Sequence, residues 1–299
     1  MNGTSIDVSI VIPCHAGHAG VLPACLLSLM AQQGAQAREI LVINSNDDWE
    51  VVQAVAGFPV RLIDGGGKLT AGAARNRGVA AATGALVAFI DADCVAEPSW
   101  LLVIAQRLTG DVVAVSGPVL DYFAWHPIAT VDNRMQFVDQ LPGRPAGGFT
   151  SAPGCNLAIS RRVFLETGGF PAQVQTGEDT MLTAQLADRF SGNVLFEPAM
   201  CVRHRGRTAF REFLRHQRDF GFGRGRFGLN LTARQQALCR HRGIVAAAAM
   251  RRYVYFMKRT AQWKPRSLAY LILLSPLLLA GLAAWAQGLY QGCCLAARE

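Results

Sequence analysis

Three features that this 299-residue sequence lacks narrow its function before any motif is considered. Its eight cysteines are scattered without a C-x-x-C pair, which argues against a zinc site or a disulfide scaffold and favours a reducing compartment. No basic segment followed by an apolar one precedes the first predicted strand, so we expect the main domain to stay in the cytoplasm. No G-x-G-x-x-G follows that strand, which disfavours a dinucleotide-dependent dehydrogenase.

Charge is unevenly distributed along the chain. The formal net charge of +8 favours anionic partners such as phosphates or an anionic membrane face. No nucleic-acid recognition module accompanies it, so we expect no nucleic-acid partner. Residues 267–290 hold no charged side chain and reach the roughly 20 residues that cross a bilayer. We expect a transmembrane helix there, with the basic residues upstream of it in the cytoplasm; a buried helical hairpin is the alternative.

Apolar strands alternate with segments of helical periodicity in the first hundred residues. This order predicts an α/β fold with a doubly wound, mostly parallel sheet. We assign residues 1–228 to this domain and residues 229–299 to a C-terminal helical, membrane-associated region. The strands are predicted at Val8–Ile12, Glu39–Ile43, Val60–Ile63 and Leu86–Ile90.

The strand Leu86–Ile90 leads into Asp91-Ala92-Asp93, the stretch around which the chain is organised. Carboxylates at positions i and i+2 of an extended backbone point the same way. Burying both without a partner is unfavourable, and a hard divalent cation such as Mg²⁺ or Mn²⁺ would relieve that penalty. Ligands of open α/β sheets bind at the carboxyl ends of strands. We therefore predict a metal site at Asp91 and Asp93.

Four segments, in this order, carry a resemblance to a known family: VSIVIPCH, GAARNRGVAAATGALVAFIDADC, GCNLAISRRVFLETGGF and GEDTMLTAQL. Together they resemble a family 2 glycosyltransferase of the GT-A fold over about residues 6–225. The resemblance implies transfer of a sugar from a nucleotide diphosphate donor, with inversion at the anomeric carbon and a divalent metal. A departing nucleoside diphosphate develops negative charge, which a bound cation neutralises.

The resemblance also implies roles for the acidic residues. It makes Asp93 the more direct metal ligand and places Asp91 at the ribose or the metal. It makes Asp179 the catalytic base, with Glu178 as an acceptor contact or a structural support. The pair follows Gly177 at the start of a predicted helix, where the backbone amides favour a carboxylate, so simple capping is the alternative.

Several other residues match positions near the donor. Pro13 to His15 match the region that borders the nucleotide, and Arg75 resembles a basic residue near the base or diphosphate, unless it forms a pair on a helix surface. Lys68, which follows Gly65-Gly66-Gly67, could also reach a phosphate, with a simple turn as the alternative. His204 resembles a histidine that some relatives use at the metal or diphosphate, with a basic-surface histidine as the alternative.

The sequence departs from the family pattern in two places. Relatives usually carry an aspartate that reads the base at the end of the second strand, where this chain has Asn44. We expect Asn44 to form a hydrogen bond with a base edge. Processive relatives carry a Gln-x-x-Arg-Trp block, but Gln217-Arg218-Asp219 is not followed by tryptophan, so we expect transfer of single sugars.

A basic segment follows the resembling blocks. Residues 203–226 contain eight arginines against Glu212 and Asp219, with phenylalanines at helical spacing, which predicts an amphipathic basic helix. We expect its arginines, Arg215 among them, to clamp a diphosphate or lipid-linked phosphate, to lie on anionic lipid, or to do both.

These patterns predict a glycosyltransferase at the cell membrane whose catalytic domain faces the cytoplasm. Its partners would be a nucleotide-sugar donor and a lipid or glycan acceptor. One alternative is a catalytically inactive membrane-bound binding protein of the same fold, which Asn44 favours. Another is a nucleotidyltransferase, which would need a basic phosphate loop after the first strand, whereas Cys14–Gly20 contains no arginine or lysine.

Overall fold

The computed structural model describes residues 4–228 and 231–297 and divides the chain into two compact units. The first unit comprises Met1–Leu120 and Pro145–His204, and the second comprises Asp121–Arg144 and Arg205–Glu299. This division differs from the predicted boundary at residue 228. The reason is that helices from residues 127–137 and 210–227 share one apolar cluster with the C-terminal helices.

A mixed sheet forms the centre of the first unit. Within the described residues its strand order is β3-β2-β1-β4-β9-β6-β10-β8, and a smaller sheet has the order β5-β11-β7. Pairing is parallel from β3 to β4, and β9 is antiparallel to both of its neighbours. The α/β class and the mostly parallel sheet are therefore confirmed. The strands are β1 Thr4–Cys14, β2 Ala35–Asn44, β3 Arg61–Asp64, β4 Leu86–Ile90, β5 Cys94–Ala96, β6 Ala114–Ser116, β7 Val119–Asp121, β8 Gly147–Gly148, β9 Asn156–Ser160, β10 Val194–Phe196 and β11 Val202–His204.

Helices of the first unit cover the sheet, and α4 shows why they can approach it closely. Thr70 caps α4 by accepting a hydrogen bond from the Ala73 amide. A Cβ at Gly78 would overlap the Val11 side chain of β1, so small residues are needed on this face. The helices of the first unit are α1 Ala16–Ala19, α2 Leu22–Met30, α3 Trp49–Val55, α4 Ala71–Ala81, α5 Trp100–Arg107, α7 Arg161–Glu166 and α8 Glu178–Arg189. Those of the second unit are α6 Pro127–Phe137, α9 Phe210–Phe227, α10 Ala233–Leu238, α11 Arg242–Trp263, α12 Leu268–Leu273 and α13 Ser275–Ala296, with 3₁₀ turns at Val138–Gln140 and Pro265–Ser267.

Strand β1 continues through Pro13 to Cys14, beyond the end that we predicted at Ile12. Its pairing with β4 ends at Val11, whereas its pairing with β2 continues to Cys14 opposite Asn44. Proline lacks an N–H group and is tolerated where a strand has a neighbour on one side alone. Since β1, β2 and β4 are parallel, their carboxyl ends meet at one edge of the sheet.

The second unit contains two helices, α9 and α13, whose backbones nearly touch. A Cβ on any of four glycines would overlap backbone atoms of the opposite helix. Such an approach is possible where residues lack a side chain. Helix α9 matches the predicted amphipathic basic helix, with Phe213 buried and Arg215 exposed. The four glycines are Gly221 and Gly225 of α9 and Gly288 and Gly292 of α13.

The apolar segment 267–290, for which we predicted a transmembrane helix, forms two helices that meet at a bend. The chain bends by 78° between Pro265–Leu273 and Ser275–Ala296. Pro276 lies in the first turn of α13. Proline lacks the N–H that would continue the hydrogen bonding of α12, but it is tolerated in the first turn of a helix, so a new helix begins here. Across the described residues, neither segment is by itself long and apolar enough for a membrane span, whereas the bent pair together meets the length and composition criteria.

Asp132 of α6 is a fully buried acid in the second unit. It accepts hydrogen bonds from the Arg207 backbone and side chain and from the Gln217 amide, at 3.1–3.3 Å. His216 Nδ1 lies 3.3 Å from Asp132 Oδ1, the oxygen that also accepts from Gln217. Burial opposes ionisation, but the contacts with His216 and Arg207 outweigh it and lower the pKa of Asp132 to about 2. This carboxylate therefore joins α6 to α9 in its charged form.

We expect Asp132→Asn to lower the free energy of unfolding by roughly 1.5–3 kcal/mol at neutral pH, since its charge-assisted bonds are lost. A carboxyl with a depressed folded-state pKa stabilises above its unfolded value of about 4, and this contribution disappears as the pH falls towards about 2. Urea denaturation should therefore show wild type and variant converging in acid. Asp219→Asn, at an exposed acid of α9, is the matched control. Equal stability of D132N and wild type at neutral pH would contradict this role.

Candidate functional site

A cavity of about 760 Å³ lies in the first unit, at the sheet edge where β1 and β2 end. Its size falls within the roughly 300–1,000 Å³ of small-molecule sites. The wall comes from the turn after β1, the turn after β2, the loop into α4 and the end of β4. Its residues are Pro13, Cys14, His15, Ala16, His18, Ser45, Asn46, Asp48, Lys68, Leu69, Ala71, Arg75 and Asp91.

The turn after β1 places two histidines in this wall. His15 Nδ1 accepts a hydrogen bond from the Gly17 amide at 3.0 Å and so caps α1. Its ring centroid lies 4.3 Å from that of His18. Burial and the neighbouring His18 lower the pKa of His15, which favours the neutral ring. The structure thus brings Pro13 and His15 into the cavity, together with His18, which the sequence analysis did not select.

The turn after β2 gives Asn44 a different role from the one expected. Asn44 is fully buried, and its side chain forms hydrogen bonds with the backbone N–H and C=O of Asp48 at 2.9 and 3.0 Å. It therefore closes the turn instead of facing the cavity, which revises its predicted contact with a base. Asn46 and Asp48 supply the polar groups here, and Asp48 also accepts a hydrogen bond from the Ala16 amide at 2.6 Å.

The turn after β4 places Asp93 beside two histidines. His204 Nε2 lies 3.4 Å from Asp93 Oδ2, and His18 Nε2 lies 3.9 Å from the same oxygen. The antiparallel register of β11 on β5 pairs His204 with Cys94, which brings this histidine next to the Asp-Ala-Asp turn. His204 is buried, so it is not the surface histidine of the alternative interpretation.

The side chains around Asp93 bear on whether the first unit can bind a metal ion. The described ranges contain no cluster of three or more His, Cys, Asp or Glu side chains arranged to bind an ion. Mg²⁺ is commonly bound through one or two carboxylates, with substrate phosphates and water completing its shell. Asp93 and His204, with Asp91 nearby, therefore fit a cation whose remaining ligands come from a phosphate-bearing substrate.

Arg75 of α4 connects the two acidic motifs. Its side chain is 4% exposed and donates from Nη1 to Glu178 Oε1 at 2.8 Å and from Nη2 to Asp91 Oδ1 at 2.6 Å. The guanidinium lies over the Phe170 ring, and a Cβ at Gly154 would come within 2.8 Å of Cζ. Burial alone would lower the pKa of Arg75, but the carboxylates raise it. Arg75 is thus a buried bridge between acids and not a residue of the helix surface. It also lines the cavity, so its predicted contact near the base or diphosphate stays a prediction.

The acidic pair begins α8 as predicted, immediately after Gly177 with its φ of 89°. Glu178 is buried, and burial together with the charge of Asp179 raises its pKa to about 7, despite Arg75. Asp179 is partly exposed and accepts hydrogen bonds from the amides of Gly154 at 3.0 Å and Thr180 at 2.7 Å. The two acids therefore differ: one is buried in an ion pair, and the other is an oriented, accessible carboxylate.

The remaining predicted residues lie in different units. Lys68 contributes to the cavity wall of the first unit. Arg215 lies on α9 in the second unit with an exposed side chain. Sequence reasoning missed His18, Asn46 and Asp48, although it recognised the two loops that carry them.

Comparison with protein families assigns most of the first unit. Residues 9–167, more than half of the chain, match the family described as glycosyl transferase family 2. Pre-mycofactocin glycosyltransferase of Mycobacterium tuberculosis is 27% identical over 161 residues, which cover 50% of this chain and 33% of that protein. Human polypeptide N-acetylgalactosaminyltransferase 15 is 38% identical over 48% of this chain and 26% of its own. The match thus spans about a third or less of these curated relatives.

Comparison with solved structures supports the fold across the whole chain. The mannosyltransferase PcManGT of Pyrobaculum calidifontis, solved with GDP-Man and Mn²⁺, is similar over 96% of this chain and 88% of its own. The TM-score is 0.61 at 16% sequence identity, so the likeness establishes a shared fold.

We expect Arg75→Met to lower the free energy of unfolding by roughly 3–5 kcal/mol, because it leaves the buried Glu178 carboxylate and the partly exposed Asp91 carboxylate without their cation. Arg75→Lys should have a free energy of unfolding between those of Arg75→Met and wild type, because a lysine is a point charge that cannot bridge both acids. Guanidinium denaturation measures the difference. Arg77→Met, at an exposed arginine of the same helix, is the control and should be near wild type. A stable R75M protein would show that the bridge is dispensable.

Proposed function

The chain is a member of glycosyl transferase family 2, and on that premise we propose that it moves a single sugar from a nucleoside diphosphate donor to a membrane-associated acceptor, with inversion. The observation that carries the proposal is the convergence of three groups in the first unit. A cavity of nucleotide size, the Asp93–His204 pair and the amide-held carboxylate of Asp179 are linked through Asp91, Arg75 and Glu178.

The cavity supports a nucleotide donor. Its wall offers imidazoles at His15 and His18, an amide at Asn46, a carboxylate at Asp48 and a cation at Lys68. Such a mixed polar wall can bind the base and ribose by hydrogen bonds and the diphosphate through Lys68. The similar mannosyltransferase was solved with GDP-Man, and a further similar structure, GalNAc-T7, was solved with UDP and Mn²⁺.

Asp93 and His204 would hold a divalent cation, Mg²⁺ or Mn²⁺, with Asp91 beside them. When bound, the cation would neutralise charge that develops on the leaving diphosphate. Arg75 occupies Asp91 Oδ1 and so fixes the orientation of that carboxylate, which leaves its other oxygen for a ligand. That other oxygen of Asp91 can then meet the ribose or the metal, and the family resemblance makes Asp93 the more direct metal contact.

Inversion by a single displacement requires a base that accepts the proton of the acceptor hydroxyl. Asp179 suits this role because it is partly exposed, and the Gly154 and Thr180 amides orient it. Glu178 is buried against Arg75 and serves as the support that positions α8. The proton passes to the Asp179 carboxylate as the hydroxyl oxygen attacks the anomeric carbon, while the bond from that carbon to the diphosphate oxygen breaks and the nucleoside diphosphate leaves with the electron pair.

We place the protein at the cell membrane, with the catalytic unit on the cytoplasmic side. The second unit supports this assignment through Ile272 and Leu273 of α12, which are 55% and 73% exposed at the bend before α13. Apolar side chains exposed beside cations are typical of proteins that bind membrane interfaces. A lipid or lipid-linked glycan is therefore the acceptor class we favour, and nucleic acid is not a partner. The cations upstream in sequence with exposed side chains are Arg251, Lys258 and Arg266, whereas Arg252, Arg259 and Lys264 have partners within the second unit.

The structure weakens the main reason for an inactive binding protein. That alternative depended on Asn44 replacing a base-reading aspartate. Asn44 is occupied in closing its turn through Asp48, so its identity reflects local folding. Asp48 and Asn46 of the same turn remain in the cavity wall for a base or ribose contact.

The donor site predicts metal-dependent nucleotide binding. Calorimetric titration of wild-type protein with a panel of nucleoside diphosphates should find one that binds in the presence of Mn²⁺ and weakens when the metal is chelated. Asp93→Ala should remove this metal dependence, because the cation loses its carboxylate ligand. Asp111→Asn, at an exposed acid of the first unit, should behave as wild type. Failure of every nucleotide to bind folded protein, with or without metal, would refute the proposed donor site.

The assignment of the base predicts a separation of binding from turnover. Asp179→Asn should bind the same nucleotide with near-normal affinity but transfer sugar roughly a hundredfold to ten-thousandfold more slowly, since the amide cannot accept the proton. Single-turnover transfer and nucleotide titration measure the two properties on the same sample. Near-normal transfer by D179N would exclude Asp179 as the base.

A further inference from the structure

The second unit contains a cavity of its own, of about 600 Å³, between α11 and α13. The two helices run antiparallel along it. At one end the Arg242 guanidinium lies 5.6 Å from the centre of the Tyr290 ring. Beyond the other end, the Tyr253 hydroxyl and the Ser275 hydroxyl lie 2.8 Å apart. We call this cavity the α11–α13 groove.

The groove is polar at one end and apolar at the other. Along α11 its lining changes from Arg242 to Met250, and along α13 it changes from Leu279 to Gln291. Because the helices are antiparallel, Arg242 and Gln291 share one end, and Met250 and Leu279 share the other. A groove with such a gradient matches a ligand that has an apolar chain and a polar head.

Alanines provide the room for a chain. Ala246 of α11 and Ala283 of α13 line the groove with exposed side chains, so no larger residue fills the space between the helices. At the apolar end Met250 is 55% exposed and Leu279 is 43% exposed. Covering apolar surface of this kind is favourable by about 25 cal/mol per Å², so an apolar ligand would stabilise the groove.

The polar end favours an anion. Arg242 is the first residue of α11, a helix of 22 residues whose N-terminal amides carry positive partial charge. Within the described lining of the groove there is no aspartate or glutamate. Gln287 and Gln291 add amide donors at the same end. An arginine with adjacent amides is a typical contact for phosphate oxygens.

We propose that the α11–α13 groove binds a lipid phosphate, with the apolar chain between the helices and the phosphate at Arg242. The volume lies within the range of small-molecule sites, roughly 300–1,000 Å³. A flat apolar face would suit a second protein surface, but one end here is charged and the cavity is narrow enough to be lined from both helices. The site is independent of the donor site, so it extends the proposed function without requiring it.

The test is calorimetric titration of the full chain, at fixed nonionic detergent, with hexadecyl phosphate, hexadecanol and inorganic phosphate. Hexadecyl phosphate should bind with one molecule per chain and at least tenfold more tightly than either part alone. Arg242→Gln should weaken hexadecyl phosphate about tenfold, the loss of one charge-assisted contact, and leave hexadecanol unchanged. Arg234→Gln, at an exposed arginine of α10, is its matched control.

Filling the groove provides the second variant. Ala283→Phe should weaken both hexadecyl phosphate and hexadecanol, because its ring occupies the path of the chain. Ala247→Phe, at an exposed alanine of α11 outside the lining, should bind like wild type. Circular dichroism and melting of each variant establish that it is folded.

Three results would overturn the proposal. One is equal binding by the groove variants and their controls. Another is inorganic phosphate binding as tightly as hexadecyl phosphate. The third is a concentration-dependent dimer that A283F abolishes, which would assign the groove to a second copy of the chain. Asp93→Ala should leave hexadecyl phosphate binding unchanged, so failure of the donor site and failure of the groove are distinguishable.

Discussion

The buried guanidinium of Arg75 is the interaction on which the site in the first unit depends. It contacts the partly exposed Asp91 and the buried Glu178, whose carboxylates would otherwise have no cation between them. One positive charge faces two acids and the nearby Asp179, so negative charge is in excess. Burial raises the pKa of Glu178, and the charge of Asp179 adds to this effect, while Arg75 opposes it. Gly154 lacks a side chain because the guanidinium occupies that space.

This bridge also explains why the two acids of one dipeptide differ chemically. Glu178 points into the unit, where burial and repulsion favour its neutral form. Asp179, one residue later on the helix, accepts hydrogen bonds from the amides of Gly154 and Thr180, which fix its orientation. A helix start preceded by Gly177 thus directs neighbouring carboxylates into different surroundings. Division of roles between paired acids follows from these surroundings and not from the residue types themselves.

Local sequence patterns predicted the helices and strands well. Prediction failed for side chains whose contact partners are distant in the sequence. Strand β4 has the predicted bounds and α8 begins where predicted, after Gly177, because apolar runs and glycine termini are local signals. The four similar sequence blocks did come together. The role of Arg75 was out of reach because its partners lie 16 and 103 residues away. Asn44 was misjudged for the opposite reason: a local bond to Asp48, four residues on, satisfied a side chain that the resemblance assigned to a ligand.

In the second unit, an apolar segment without charged residues forms two helices that meet at a bend, instead of one straight helix. Amino-acid composition indicates how apolar a segment is, but it does not indicate which neighbours the segment packs against. On α13 the glycines Gly281, Gly288 and Gly292 are buried against other parts of the second unit, and two of them receive the backbone of the basic helix α9. One face of the segment is therefore protein core, and Leu279 lies on the part that stays exposed. Because small and apolar residues are needed where α13 packs against α6 and α9, the segment has the composition of a membrane span without forming one straight helix.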